Sequence, residues 1–280
     1  MRGVLITGCS TGIGRATALR LDGRGWRVYA GVRKDEDAEA LGRDGSDRLV
    51  PLIVDVADGP SIELAAERVR DECPGGLDGL VNNAGVAYSG PLEYVPLDDF
   101  RKQLEVNLVG HLAMIQAMLG SLRTARGRIV NITSIGGIVA TPFFGPYNAS
   151  KFALEALSDC LRVELQPWGI ETIVIEPGSV ATEIWESGGE NARRTVEGMA
   201  PEAHELYGDA IEATARVAAD TGARGIPPDD VAATIERALT ATRPRARYLV
   251  GRDAKMMAGA SRALPAKVYH RLVARPLKLP

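Results

Sequence analysis

In the run PYNASKFALEAL, residues 146–157, Tyr147 and Lys151 stand four residues apart. Positions i and i+4 of a helix share one face and their side chains meet, so this spacing predicts a phenol beside an ammonium. A neighbouring cation favours the phenolate. Bringing a tyrosine from near pH 10 to about 7 takes roughly 3 units, or about 4 kcal/mol. One unit charge about 4 Å away at an effective dielectric near 20 supplies about that much. Such a pair is suited to passing a proton to or from an oxygen near neutral pH.

A second chemical signature lies near the start of the chain. The segment TGCSTGIGRATA places Gly8, Gly12 and Gly14 in a Gly-x-x-x-Gly-x-Gly pattern directly after an apolar run and before a helical one. Glycines there let the backbone turn sharply and approach a ligand whose phosphates rest at the helix N-terminus. A dinucleotide is the expected ligand class. At the end of the next apolar run, AGVRK, Val32 cannot accept a hydrogen bond from a ribose hydroxyl, whereas Arg33 offers a fork suited to a 2′-phosphate. This favours NADP(H), with NAD(H) as the alternative if Arg33 is only a solvated surface residue.

The elements that must position these groups alternate along the chain. β-type runs occur at 3–7, 27–32, 49–56, 79–84, 127–133, 171–177 and 246–251, with helix-type stretches between them, among them 13–25 and 61–72 with Ser61 as its expected cap. Strands apolar on both faces and alternating with helices predict an α/β fold, a doubly wound parallel sheet covered by helices. About seven strands leave little room for a second domain. The chain therefore divides into a dinucleotide-binding and catalytic domain over 1–250, a helix-prone insertion at 182–228 suited to a lid, and an extension at 251–280.

The series TGCSTGIG at 7–14, NNAG at 82–85, Asn107, Ser134, YNASK at 147–151 and PG at 177–178 resembles the short-chain dehydrogenases/reductases over roughly residues 3–250. The resemblance implies a Rossmann-type sheet and hydride transfer between a nicotinamide and a carbon bearing oxygen. It makes Tyr147 the general acid/base and Lys151 the group that lowers its pKa and holds the nicotinamide ribose. Ser134 would hold the substrate oxygen, and Asn107 would anchor a water leading to Lys151. The same resemblance assigns cofactor contacts to Gly8, Ser10, Thr11, Gly12, Ile13 and Gly14, to Asp55 and Val56 at the adenine, and to Asn82, Asn83, Ala84 and Gly85. Pro177 and Gly178 would flank the nicotinamide, and Val180 and Thr182 are further cofactor contacts. The run from Ser134 to Leu165 is similar to the steroid and retinol dehydrogenase branch, which implies a bulky lipophilic alcohol or ketone. Val139, Phe143, Phe144, Trp185, Met199 and Tyr207 are candidate pocket residues. The helices containing 106–119 and 151–165 resemble the pair through which this family dimerises, so a homodimer or homotetramer is expected. A non-catalytic NAD(P)-binding regulator of the same fold is the alternative reading.

Composition bounds the rest. The chain has 280 residues, 45% hydrophobic and 25% charged, with a formal net charge of −3. The opening MRGVLITG fits neither a signal nor a transit peptide, and no apolar run reaches the length of a membrane span, so a cytoplasmic protein is expected. Three cysteines show no metal-ligand spacing and no Cys-x-x-Cys, and no metal is expected. Residues 243–280 carry ten Lys or Arg against the single acid Asp253. Interleaved apolar residues at 255–273, interrupted by Pro265, suit either two short helices covering the domain or a peripheral contact with an anionic membrane. Nucleic acid is not an expected partner, since no binding motif accompanies the charge.

Overall fold

A strand inside a parallel sheet must bury both of its faces, and the short apolar runs do so. In the computed structural model, which describes residues 1–277, all four residues of β1 (Gly3–Ile6) are buried. Val4 and Ile6 enter one hydrophobic core and Leu5 enters the other, on the opposite face. The period of two along a strand thus divides its side chains between two helical layers.

The remaining strands are β2 (Arg27–Val32), β3 (Leu49–Ile53), β4 (Gly79–Asn82), β5 (Arg128–Ile132), β6 (Glu171–Pro177) and β7 (Arg247–Val250). They form one seven-stranded sheet in the order β3-β2-β1-β4-β5-β6-β7. Every pairing is parallel. The order reverses between β1 and β4, and a crevice outside the carboxyl ends of the strands opens at such a point. The Gly-rich turn after β1 and the NNAG segment after β4 both lie there.

Helices α1 (Gly12–Gly23), α2 (Asp35–Asp44), α3 (Gly59–Glu72), α4 (Leu97–Leu104), α5 (Gly110–Ala125) and α6 (Gly145–Glu164) fill the connections between the first six strands, with α4 and α5 both between β4 and β5. Helix α1 packs with α9 (Pro228–Thr240) on one face of the sheet, and α3 packs with α5 on the other. Two further helices, α7 (Ile184–Glu197) and α8 (Pro201–Ala223), fill the insertion after β6. Beyond β7, Pro265 divides the extension into α10 (Arg252–Ala263) and α11 (Ala266–Ala274), as its missing N–H and fixed φ require.

One expected detail is corrected. The cap of α3 is Asp58, whose carboxylate accepts from the Ser61 N–H at 3.1 Å. Ser61 instead turns its hydroxyl to the Asp55 N–H, 3.0 Å away. A carboxylate one residue before the helix reaches the free amides better than a hydroxyl already inside the first turn.

Candidate active site

The Gly-rich turn is shaped by its neighbours as much as by its own glycines. Gly8 has φ +69° and Gly12 has φ +55°, the left-handed region that favours glycine. A Cβ on Gly8 would lie 2.8 Å from the Ala84 Cα, and one on Gly14 would lie 2.6 Å from the Asn83 amide nitrogen. The NNAG segment is pressed onto this turn and hydrogen-bonded to it. Asn83 Nδ2 donates to the carbonyls of Thr7 and Gly8 at 2.9 and 3.0 Å, and the Thr7 hydroxyl accepts from the N–H groups of Asn83 and Ala84 at 3.0 Å. The α1 N-terminus therefore opens beside exposed Thr11 and half-buried Ser10, with Ile13 packed on the core beneath. A bare, backbone-lined turn at a helix N-terminus fits a pyrophosphate.

Below it lies a buried polar chain. Asn82 Nδ2 donates to Asn131 Oδ1 at 3.0 Å, Asn131 Nδ2 donates to Ser158 Oγ at 2.9 Å, and Ser158 Oγ donates to the Leu154 carbonyl at 2.6 Å. This ties β4 to β5 and α6. His111, fully buried on α5, contacts the Ala84 carbonyl through Nε2 at 2.7 Å. A carbonyl only accepts, so Nε2 carries the proton there. Burial, reinforced by the Lys151 charge, pushes His111 down to about 3, and the imidazole is neutral.

Further along α6, Tyr147 and Lys151 share the face that the spacing predicts. The Lys151 Nζ lies 5.6 Å from the Tyr147 ring centroid. Lys151 is 4% exposed, and its ammonium donates to the Ile132 carbonyl at 2.9 Å. Burial lowers its pKa to about 8, while the Glu155 carboxylate one turn further on acts to raise it.

Half-buried Tyr147 departs from expectation. Burial raises the phenol above its ordinary value, and a hydrogen bond with Ser134 opposes that shift. The Lys151 ammonium donates to the Ile132 carbonyl, and the phenol's rise comes from its own desolvation. Ser134 Oγ accepts from the Gly136 N–H at 3.0 Å, which leaves its own hydrogen free to donate. Gly136 lies beside both hydroxyl-bearing residues: a Cβ there would lie 3.3 Å from Tyr147 Cε1 and 3.4 Å from Ser134 Oγ.

Asn107 sits in a π-helical turn, Glu105–Val109, that leads into α5. Its amide is fully engaged by protein. Oδ1 accepts from Val86 N–H at 2.9 Å, and Nδ2 donates to the Val86 carbonyl at 3.0 Å and to Ser150 Oγ at 3.2 Å. The side chain thus clamps the segment leaving NNAG to α6.

At the far end, Arg33 is exposed immediately beyond β2. The Asp55 Oδ1 accepts from the Ala57 N–H at 3.0 Å, and Val56 is buried beside it. On the opposite wall, Pro177 and Val180 are buried, Gly178 is half-buried, and Thr182 packs on the Gly-rich turn, 3.0 Å from a Cβ built on Gly12. Ser134, Tyr147 and Lys151 come together where β5 leads into α6, the Gly-rich turn meets NNAG and Thr182, and Arg33 and Asp55 stand beyond the carboxyl ends of β2 and β3.

Several contributors carried weaker sequence signals. Asn148 locks the Ser134 loop by donating to the Gly136 carbonyl at 2.9 Å and accepting from Thr141 N–H at 3.0 Å. Glu155, buried and linked to Arg247, signals itself only by standing four residues after Lys151. His111 carried no signal apart from lying in an apolar helix. Of the pocket candidates, Phe143 and Tyr207 meet edge to face at 6.2 Å. Trp185 is instead anchored by its indole N–H to the Val180 carbonyl at 2.8 Å and packs against Gly222.

A nucleotide cleft at the switch point of a parallel sheet, with a tyrosine, serine and lysine at one end, defines a dinucleotide-dependent oxidoreductase. The short chain dehydrogenase family profile matches residues 2–193. An NADPH-dependent 3-dehydrocapnine reductase from Ornithobacterium rhinotracheale is 33% identical, covering 99% of this chain and 98% of that protein. Mouse retinol dehydrogenase 5 is 38% identical over 95% of this chain and 85% of its own length. A short-chain dehydrogenase from Burkholderia cenocepacia J2315, solved in complex with NADP, superposes with a TM-score of 0.73 at 26% identity over 100% of both chains. The chain belongs to the short-chain dehydrogenase/reductase family and is an NAD(P)-dependent oxidoreductase.

Proposed function

We propose that the protein interconverts a secondary alcohol and a ketone of bulky, lipophilic or steroid-like character, with NADP(H) as the preferred cofactor. The observation that carries this reading is the meeting of Ser134, Tyr147 and Lys151 at one end of the cleft. Bound NADP(H) supplies or receives the hydride. In the reductive direction, the Ser134 hydroxyl and the Tyr147 hydroxyl both donate to the substrate carbonyl oxygen. As hydride reaches the carbonyl carbon, Tyr147 passes its proton to that oxygen, yielding the neutral alcohol. Lys151 then stabilises the phenolate until a proton returns. Oxidation follows the same path reversed, with the Tyr147 phenolate as base.

The NADP(H) preference rests on exposed Arg33 where an acid would serve NAD(H), and agrees with the NADPH dependence of the Ornithobacterium reductase and the NADP bound to the Burkholderia protein. The lipophilic substrate rests on the likeness to retinol dehydrogenase 5 and on Phe143 and Tyr207 near the catalytic end. Helices α7 and α8 of the 182–228 insertion are the proposed lid over that substrate. The test is turnover of a panel of lipophilic ketones and alcohols with each cofactor. Saturable NADPH binding with no turnover across the panel would favour the non-catalytic regulator instead.

Two further contacts belong to this reading. A groove between α5 and α6, lined by Leu112, Ile115, Leu119, Leu161, Leu165 and Trp168, together with exposed Val163, suits packing against a second copy. Light scattering that gives a monomer mass at all dilutions would exclude it. No helix among the described residues is long and apolar enough to cross a membrane. Exposed Met256, Val268 and Leu272 beside the basic residues of α10 and α11 suit a peripheral membrane contact. Salt-sensitive co-sedimentation with anionic vesicles tests it.

A further inference from the structure

Asp253, the single acid of the basic C-terminal stretch, is turned inward. It lies in the first turn of α10, and its Oδ2 accepts from the Ser179 N–H at 2.7 Å. The preceding amide, Gly178 N–H, donates to the Val250 carbonyl at 2.9 Å. Two successive amides of the turn after β6 are thus held by residues at the far end of the chain. The fit needs glycine on both sides. A Cβ on Gly178 would overlap the Asp253 carboxylate, and Gly251, at φ +103°, turns the chain so that the carboxylate can reach back. Among the described residues, no Lys or Arg side chain forms an ion pair with Asp253 within 4.0 Å, so the observed hydrogen bond is spent on the turn.

The same turn is pinned from its other sides. Ser179 O accepts from the Ile226 N–H at 2.9 Å, Ala181 N–H donates to the Ile226 carbonyl at 3.0 Å, and Thr182 packs on Gly12 of the Gly-rich turn. A displacement of Ser179 would therefore be felt along the whole wall from Pro177 to Thr182.

We infer that Asp253 is a positioning residue that sets the Gly178–Ser179 turn against the nicotinamide end of the cleft, making the C-terminal extension part of the cofactor site. This rests on the placement of the nicotinamide beside Pro177 and Gly178 that the family resemblance implies. A charge-assisted hydrogen bond to a backbone amide is short and geometrically strict, and the backbone here has no side chain that could take over the task.

The test measures NADPH affinity by fluorescence titration, without turnover, alongside kcat, in the full-length protein. Asp253→Ala removes the acceptor and should weaken NADPH about 10-fold, with a fall in kcat. Asp253→Glu retains the charge but drives the carboxylate into Gly178, and should behave like the alanine variant. Asp253→Asn keeps an acceptor oxygen and should stay within about threefold of the parent. If the alanine variant does not fold, the glutamate variant decides. A residue that only fastened α10 would lower thermal stability and leave both constants per folded molecule unmoved. NADPH affinity and kcat within about twofold of the parent in folded Ala and Glu variants would overturn the inference, as would an Asn variant as weak as the alanine one. Tyr147→Phe run in parallel separates the two readings. If it keeps normal turnover the catalytic assignment fails, while the affinity measurement still judges Asp253.

Discussion

At the Tyr147 end of the cleft, polar side chains are buried and committed: Lys151 to Ile132, Asn107 to Val86 and Ser150, Ser134 to Gly136. At the Arg33 end, the side chain that would choose between cofactors is exposed just past the end of its strand. The difference separates two tasks. Proton transfer needs groups held in fixed geometry and stripped of water, where electrostatic effects are large. Discrimination between two dinucleotides needs only one differential contact at the rim, and that contact costs the fold nothing.

The largest effect that could break this contrast is at Tyr147. Phenylalanine keeps the ring and removes the transferable proton, so turnover should fall by about 10²-fold or more with NADPH affinity retained. Steady-state kinetics with a verified substrate checks it, and near-normal kcat would remove Tyr147 from the chemistry.

Arg33→Ala comes next. Loss of a charge-assisted phosphate contact, worth roughly 1.5–3 kcal/mol, should weaken NADP(H) by about 10- to 150-fold and barely touch NAD(H). Equal weakening of both cofactors, or a parent protein that prefers NAD(H), would show that the rim does not select.

Lys151 tests the cost of burial. Its folded pKa of about 8 lies below the ordinary value of 10.5, so the unfolded chain binds more protons between those two pH values. The penalty for burying the charge is complete below about pH 8 and fades as pH rises toward 10.5. Lys151→Met should therefore lose turnover yet gain roughly 1–3 kcal/mol of stability at pH 7, a gain that shrinks toward pH 10.5. Urea unfolding at two pH values measures this. A variant less stable than the parent at pH 7 would mean that the Ile132 contact outweighs desolvation.

The smallest effect belongs to Glu155. Its carboxylate raises the Lys151 pKa, and it is held in turn by Arg247, which also pairs with Glu176 at 2.9 Å. Glu155→Gln removes that help, so Lys151 should lose its proton at lower pH, moving the alkaline limb of the pH–rate profile downward. An unmoved or raised limb would separate Glu155 from the site.

The sequence disclosed unequal shares of this arrangement. All seven strands and their parallel order followed from apolar runs, because both-face burial leaves a continuous signature, and the strands at 27–32 and 171–177 agree with the structure to the residue. The Gly-rich turn and the Tyr–Lys pair were legible because each depends on local spacing. Direction of the phenol's shift was not, since it depends on how deeply α6 sinks beneath the loop from Ser134 to Phe144. Nor was the clamp on Asn107, the proton placement on His111, or the bond from Asp253 to Ser179. Each joins residues distant in the chain, and no periodicity records such a meeting. Asp253 left one trace, as a lone acid among ten cations.

Strand β7 enters the sheet after 246 residues, beside β6, and the turn after β6 takes two of its hydrogen bonds from Val250 and Asp253. A ribosome delivers the chain from its N-terminus, at about 5–20 residues per second, so the Gly-rich turn, NNAG and the Tyr–Lys face all emerge well before that wall can set. A nascent chain arrested shortly before β7 would carry Tyr147, Lys151 and the Gly-rich turn while lacking the partners of Gly178 and Ser179. That wall of the cleft can therefore set only once β7 and Asp253 have emerged.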